Sequence, residues 1–200
     1  MIAFRRVVRL LFLLLGVLAG MITVLAAYVA RMMISPPRQR LWATPADLGI
    51  PFEDVQFPAR DGLRLSGWFL PAELEDDQQP KATLLLLHGW PWNRLGTAGE
   101  NILTDLPGGA PVQLIHLALA LHRRGFQLLM FDLRNHGLSA AATPVTFGWR
   151  EADDLLGALE YAAGRDDVDE RRIGVIGFSM GANSTLFALP RTELVGAAIA

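Results

Sequence analysis

Ser179 lies in the pentapeptide Gly177-Phe178-Ser179-Met180-Gly181, whose residue types and spacing suit acyl transfer. A serine hydroxyl is presented to a carbonyl when a sharp, strained turn lifts it clear of the sheet edge. Side chains two residues to either side would then collide with the adjoining strand and helix, and glycine at 177 and 181 avoids that collision. An apolar run of strand length, Arg172–Ile176, precedes the pentapeptide, and a helical stretch, Ala182–Leu189, follows it. A helix beginning just behind the serine aims free N-terminal amides at the oxyanion formed in acyl transfer, the amide of Met180 being one donor. The competing reading is an ordinary glycine-rich turn with a capping serine. The strand–turn–helix setting favours a nucleophile elbow.

The elements that must position Ser179 are visible on either side of it. Ala82–Leu87 ends at His88-Gly89, Gln127–Phe131 ends at Asp132, and Arg172–Ile176 ends at Gly177. Each run is apolar almost without interruption, as strands of a parallel sheet covered on both faces must be. Between them, Val112–Arg124 places Leu114, Leu117, Ala118 and Leu121 on one helical face and closes at Gly125. Trp149–Ala163 does the same with Ala152, Leu155, Leu156 and Leu159. Val55 and Phe57, then Leu63, Leu65, Gly67 and Phe69, alternate around Asp61-Gly62, a hairpin signal. Leu194–Ala200 begins a further apolar strand. The expected fold is therefore α/β, a doubly wound and mostly parallel sheet with right-handed crossovers. Two connections stand out. Glu73–Pro80 is acidic and glutamine-rich, a solvated loop, and Trp90–Pro111 is a long Gly/Pro/Asn-rich insertion between a strand and its helix, as active-site insertions are.

From about Glu53 onward these segments resemble the first half of an α/β-hydrolase. Leu87-His88-Gly89-Trp90 is similar to the family's turn after the third strand, which implies Trp90 as the second oxyanion amide. Phe131 through Ser139 resembles the loop after the fourth strand, with Asn135 where the family has glycine. Trp149 through Asp154 resembles the start of the helix leading to the elbow strand. Within the superfamily the chain looks most like the Bem46-like and serine aminopeptidase hydrolases. The resemblance implies a catalytic Ser179, an oxyanion hole from Trp90 and Met180, and supporting roles for Gly177, Gly181, His88, Gly89, Asp132 and His136.

A serine needs a base, and the base an orienting acid, in this family later in the chain than the nucleophile. After Ser179 the sequence has Glu193 and no histidine; the four histidines stand at 88, 116, 122 and 136. His88 and His136 occupy positions that brace loops in the family, and His116 and His122 fall in a helical pattern. The expectation is that the chain is the N-terminal portion of a longer hydrolase, incomplete after the sixth strand, with the triad acid and histidine still to come and this portion inert by itself. The alternative is a non-catalytic membrane-anchored scaffold or binding protein of the same fold.

The rest of the chain bounds the setting. Leu10–Ala30 is a stretch of 21 residues without a charge, about 32 Å long as a helix and enough to cross a hydrocarbon core of roughly 30 Å. A cleaved signal would have a shorter apolar region and small residues at both cleavage positions, whereas Tyr28 precedes Ala30 and Leu25 precedes Ala27. Residues 1–34 are thus expected to be a single-pass membrane anchor, 35–49 a linker broken by Pro36-Pro37, and 50–200 the hydrolase domain on the extracytoplasmic side. A net charge of −2 without a basic stripe speaks against nucleic acid. The chain has no cysteine, which excludes disulfides and thiolate chemistry. No metal-ligand cluster or phosphate loop implies a cofactor. The expected partner is a small-molecule or lipid-like ester or amide, or a peptide, with Trp90, Trp92 and Phe178 as candidate walls of an apolar acyl site.

Overall fold

A computed structural model of the chain describes residues 2–72, 81–97 and 112–200, in two compact units, Met1–Pro36 and Pro37–Ala200. The solvated loop expected at Glu73–Pro80, and most of the insertion expected within Trp90–Pro111, lie outside the described residues. The first unit is one helix, α1, Ile2–Ile34. From Phe4 to Ile34 it is long and apolar enough to cross a membrane, with mean hydropathy 2.7 over an 18-residue window. Its internal hydroxyl, Thr23 Oγ1, donates to Ala19 O at 2.9 Å, the local pairing a polar group needs in hydrocarbon.

The second unit is a mixed six-stranded sheet with helices on both faces. Its strands are β1 Glu53–Pro58, β2 Arg64–Leu70, β3 Thr83–Leu87, β4 Gln127–Phe131, β5 Ile173–Gly177 and β6 Ala197–Ile199, in the order β1-β2-β4-β3-β5-β6. The β1–β2 hairpin turns at Asp61-Gly62 and pairs antiparallel to β4, while β4, β3, β5 and β6 run parallel.

Alternation along the central strands explains why they read as unbroken apolar runs. Leu85, Leu87, Leu129, Phe131 and Val175 enter one core with Ala152, Leu155 and Leu159 of α3 (Glu151–Ala163) and Met180 of α4 (Met180–Ala188). Leu86, Leu128 and Met130, with Trp68 and Leu70, enter the other against Leu114, Ile115 and Ala118 of α2 (Leu114–His122). The central strands are thus covered on both faces, each fully buried large side chain contributing about 1.5–3 kcal/mol. Parallel strands then bring the ends of β3, β4 and β5, with His88, Asp132 and Phe178, to the same edge of the sheet.

Candidate active site

The turn at Ser179 is a place where the backbone is forced. Ser179 has φ 50° and ψ −109°, a conformation that costs a non-glycine residue of order 1–3 kcal/mol and persists only where its surroundings fix it. Three backbone bonds do so: Phe178 N–H donates to Leu87 O at 3.0 Å, Gly181 N–H to Phe178 O at 2.8 Å, and Asn183 N–H to Ser179 O at 3.0 Å. The flanking glycines are required by space. A Cβ on Gly177 would lie 2.6 Å from Gly181 O, and one on Gly181 would lie 2.7 Å from Leu87 O. Ser179 is exposed at the turn while Met180 is buried behind it. As the first residue of α4, Met180 has a backbone amide with no intrahelical partner.

The turn after β3 abuts this elbow. A Cβ on Gly89 would meet the Trp92 ring at 3.0 Å and Ser179 Cβ at 3.2 Å. The Trp90 side chain packs beside Phe147, with ring centroids 6.1 Å apart. Phe147 is itself held at φ 52°, its carbonyl accepting from Asn183 Nδ2 at 3.1 Å. On either side of it, Thr146 N–H and Gly148 N–H donate to the buried Glu151 carboxylate at 2.9 and 2.8 Å. Phe147 and Glu151 carried no local signal of this role: a bulky residue at positive φ is defined by bonds to α3 and α4.

The histidines at this edge are engaged by the backbone. His88 is fully buried; its Nε2 accepts from Leu133 N–H at 3.0 Å, which leaves the ring proton on Nδ1 to donate to Gly89 O at 2.8 Å. Burial, reinforced by the neighbouring His136 ring 5.1 Å away, pushes His88 down to about 3, so the ring is neutral. His136 Nδ1 donates to Arg134 O at 2.8 Å, and burial lowers it too. Of the two histidines on α2, His122 donates to Pro71 O at 2.8 Å and His116 is exposed. The Ser179 hydroxyl has no hydrogen-bond partner among the described residues.

Two buried ion pairs frame the site. Asp132 accepts from Arg94 N–H at 2.8 Å, from Arg94 Nη2 at 2.7 Å and from Leu138 N–H at 2.8 Å. Burial raises its carboxyl, but the Arg94 guanidinium and these donors hold it below the usual carboxylate range. Arg94 also donates to Ser66 Oγ at 2.9 Å and lies 4.7 Å over the Trp68 ring. A Cβ on Gly137 would fall 2.0 Å from Asp132 Oδ2, so glycine is needed for the loop to close over the carboxylate. Arg134 makes the second pair, donating from Nε and Nη2 to Asp154 Oδ1 at 2.9 and 2.7 Å and from its backbone to Asp154 Oδ2 at 2.7 Å. Its remaining donors reach Asp61 at 2.8 and 3.0 Å. Asn135, in the glycine position of the loop, has φ 68°, a value asparagine tolerates. Among the described residues no group of histidine and carboxylate side chains is arranged to hold a metal ion.

Comparison with known proteins agrees with this fold. The family model described as alpha/beta hydrolase fold matches residues 82–199. An uncharacterised protein, YfhR of Salmonella typhimurium, is 31% identical over 185 residues, covering 92% of this chain and 55% of its own length. An uncharacterised peptidase, YuxL of Bacillus subtilis, is 26% identical over 74% of this chain and 21% of its own. Among solved structures, the Pyrococcus furiosus esterase Pf2001 superposes with TM-score 0.64 at 29% identity, covering 83% of this chain and 54% of the esterase. The chain thus spans about half the length of YfhR and of the esterase.

Proposed function

Because the chain belongs to the alpha/beta hydrolase fold family, we propose that it carries the nucleophile half of a serine hydrolase that cleaves an ester, amide or peptide bond. The observation that carries this reading is Ser179 at φ 50°, exposed between two glycines that admit no Cβ. In the proposed reaction Ser179 Oγ bonds to the substrate carbonyl carbon and gives its proton to a general base. The amides of Met180 and Trp90 donate hydrogen bonds to the oxyanion. Collapse expels the alcohol or amine, which takes up that proton, and water then hydrolyses the acyl-enzyme by the same steps. His88 cannot be the base, because both ring nitrogens are engaged and the ring stays neutral. The base and its orienting acid are proposed to follow residue 200, in keeping with the greater length of the relatives.

The test is covalent. The full-length protein treated with a fluorophosphonate should be labelled on Ser179 and nowhere else, and Ser179→Ala should take no label. A folded protein that stays unlabelled would instead be the scaffold of the same fold. The esterase likeness favours an apolar acyl group, and Trp90, Trp92 and Phe178 are proposed as the walls of its site.

The helix α1 is proposed to anchor the protein, with the hydrolase domain outside the cytoplasm. The 200 residues contain no cysteine, so a thiol introduced among them can be read against the unsubstituted protein. Glu170→Cys places one thiol on an exposed turn of the domain. An impermeant maleimide should label it in intact cells; labelling only after lysis would reverse the topology.

A further inference from the structure

The loop that carries Trp90 is held from two directions. One hold is the Arg94–Asp132 pair, which ties it to the end of β4. The other comes from residues 38–40, in the segment joining α1 to the domain. Asn93 is fully buried, and its Nδ2 donates to Arg40 O at 3.1 Å and to Gln39 O at 3.4 Å. Its Oδ1 accepts from Leu95 N–H at 2.9 Å. One carboxamide therefore stitches the loop to the segment and braces the loop internally. A third tie, Arg38 Nη1 donating to Gly137 O at 3.1 Å, fastens the same segment to the loop that closes over Asp132. Leu41 and Ala43 then pack against the core that contains Leu95 and Trp68. Residues 36–44, within the stretch that reads as a linker, have no regular secondary structure and are thus bound to two of the loops that frame the site.

The connection from Asn93 to the candidate oxyanion amide is short and stiff. Trp92 N–H donates to Gly89 O at 3.0 Å, closing a turn around Trp90, and Gly89 has no free space against Trp92 or Ser179. A shift of Asn93 is therefore passed to Trp90, and oxyanion donors lose effect steeply when displaced. Deleting a buried partner also leaves two carbonyls without their donor.

We propose that Asn93 is a positioning residue for the Trp90 amide, acting through residues 38–40 as a strap, so that an ordered oxyanion hole depends on the segment leaving α1. The inference rests on the serine hydrolase reading of Ser179. It is tested on the full-length protein in detergent, with p-nitrophenyl butyrate as substrate and active sites counted by fluorophosphonate titration. Asn93→Ala should lower kcat per titrated site by roughly 10-fold or more with KM within about twofold, the pattern of a lost transition-state interaction. Asn93→Asp keeps the acceptor for Leu95 N–H but turns an anion toward two carbonyls, and should fall as far. Arg38→Gly, Gln39→Gly and Arg40→Gly together loosen the strap without touching the sheet, and should lower kcat in the same way. A role confined to stability would reduce the titratable fraction and leave kcat per site unchanged; that result in the glycine triple variant overturns the strap. A wild-type protein that takes no fluorophosphonate overturns the hydrolase reading itself, and the strap with it.

Discussion

Arg134→Met should destabilise the domain by about 3–5 kcal/mol at pH 8, the cost of breaking a buried ion pair from one side. The guanidinium is fully buried and its main partner, Asp154, is fully buried too. Methionine fills similar volume but removes both side-chain bonds to Asp154, leaving that carboxylate only the Arg134 backbone N–H. For a domain of this size each kcal/mol corresponds to about 2–4 °C, so the midpoint of thermal unfolding should drop by about 10 °C. Arg134→Lys should recover little, because a single ammonium cannot span Asp154 and Asp61 as the planar fork does. Asp61→Ala should cost far less than Asp154→Ala, since the Asp61 side chain is 34% exposed and water can replace it. Acid should narrow the deficit. Burial pushes the Asp154 carboxyl up to about 7 even beside Arg134; without the arginine it takes a proton more readily, and a neutral acid is cheaper to bury. A variant whose deficit is below about 1 kcal/mol at pH 8, or does not shrink by pH 5.5, would refute this account.

That pair also shows which features could be read from sequence. The strands β3, β4 and β5 were legible because nearly every residue is apolar on both faces, and the turn at Ser179 was legible because glycine, serine and glycine fall at fixed spacing. Boundaries moved where long-range bonds compete with periodicity. The helix expected over Val112–Arg124 begins at Leu114, since Val112 O is taken by Thr97 N–H. The one expected from Trp149 begins at Glu151, after Phe147 and Gly148 turn with φ 52° and 122°. The one expected from Ala182 begins at Met180, directly behind Ser179. Arg94 was not legible at all. Its partner Asp132 lies 38 residues away, and nothing near Arg94 in the chain distinguishes it from a surface arginine. The same holds for Asn93, whose Nδ2 partners precede it by more than 50 residues.

Stability carried by His88 should fall as pH is lowered from about 6.5 toward about 3. The folded ring is held neutral, down to about 3, because burial and the His136 ring oppose a second proton while Arg94 adds positive charge nearby; Asp132 acts in the opposite sense. In the unfolded chain the same ring titrates near 6.5. Between those values the unfolded state binds the extra proton and the folded state does not, so acid pulls the equilibrium toward unfolding and alkali restores it. His136 is lowered by burial as well and adds to the trend. Asp154 opposes it, because its raised carboxyl binds a proton in the folded state first, stabilising the fold as pH falls from about 7. A bare pH–stability curve therefore mixes signs, and the informative quantity is a difference. His88→Gln should be less stable than wild type at pH 7.5, losing the Leu133 and Gly89 bonds, yet lose less on acidification. The gap between the two proteins should close by on the order of 5 kcal/mol over the full window from 6.5 to about 3 at about 1.36 kcal/mol per unit, and by about 2 kcal/mol between about pH 6.5 and 5. Thermal midpoints of both proteins at half-unit steps from pH 7.5 to 5 measure it. Parallel curves would mean that His88 accepts its proton in the folded state, and that the Leu133 N–H is not what fixes its tautomer.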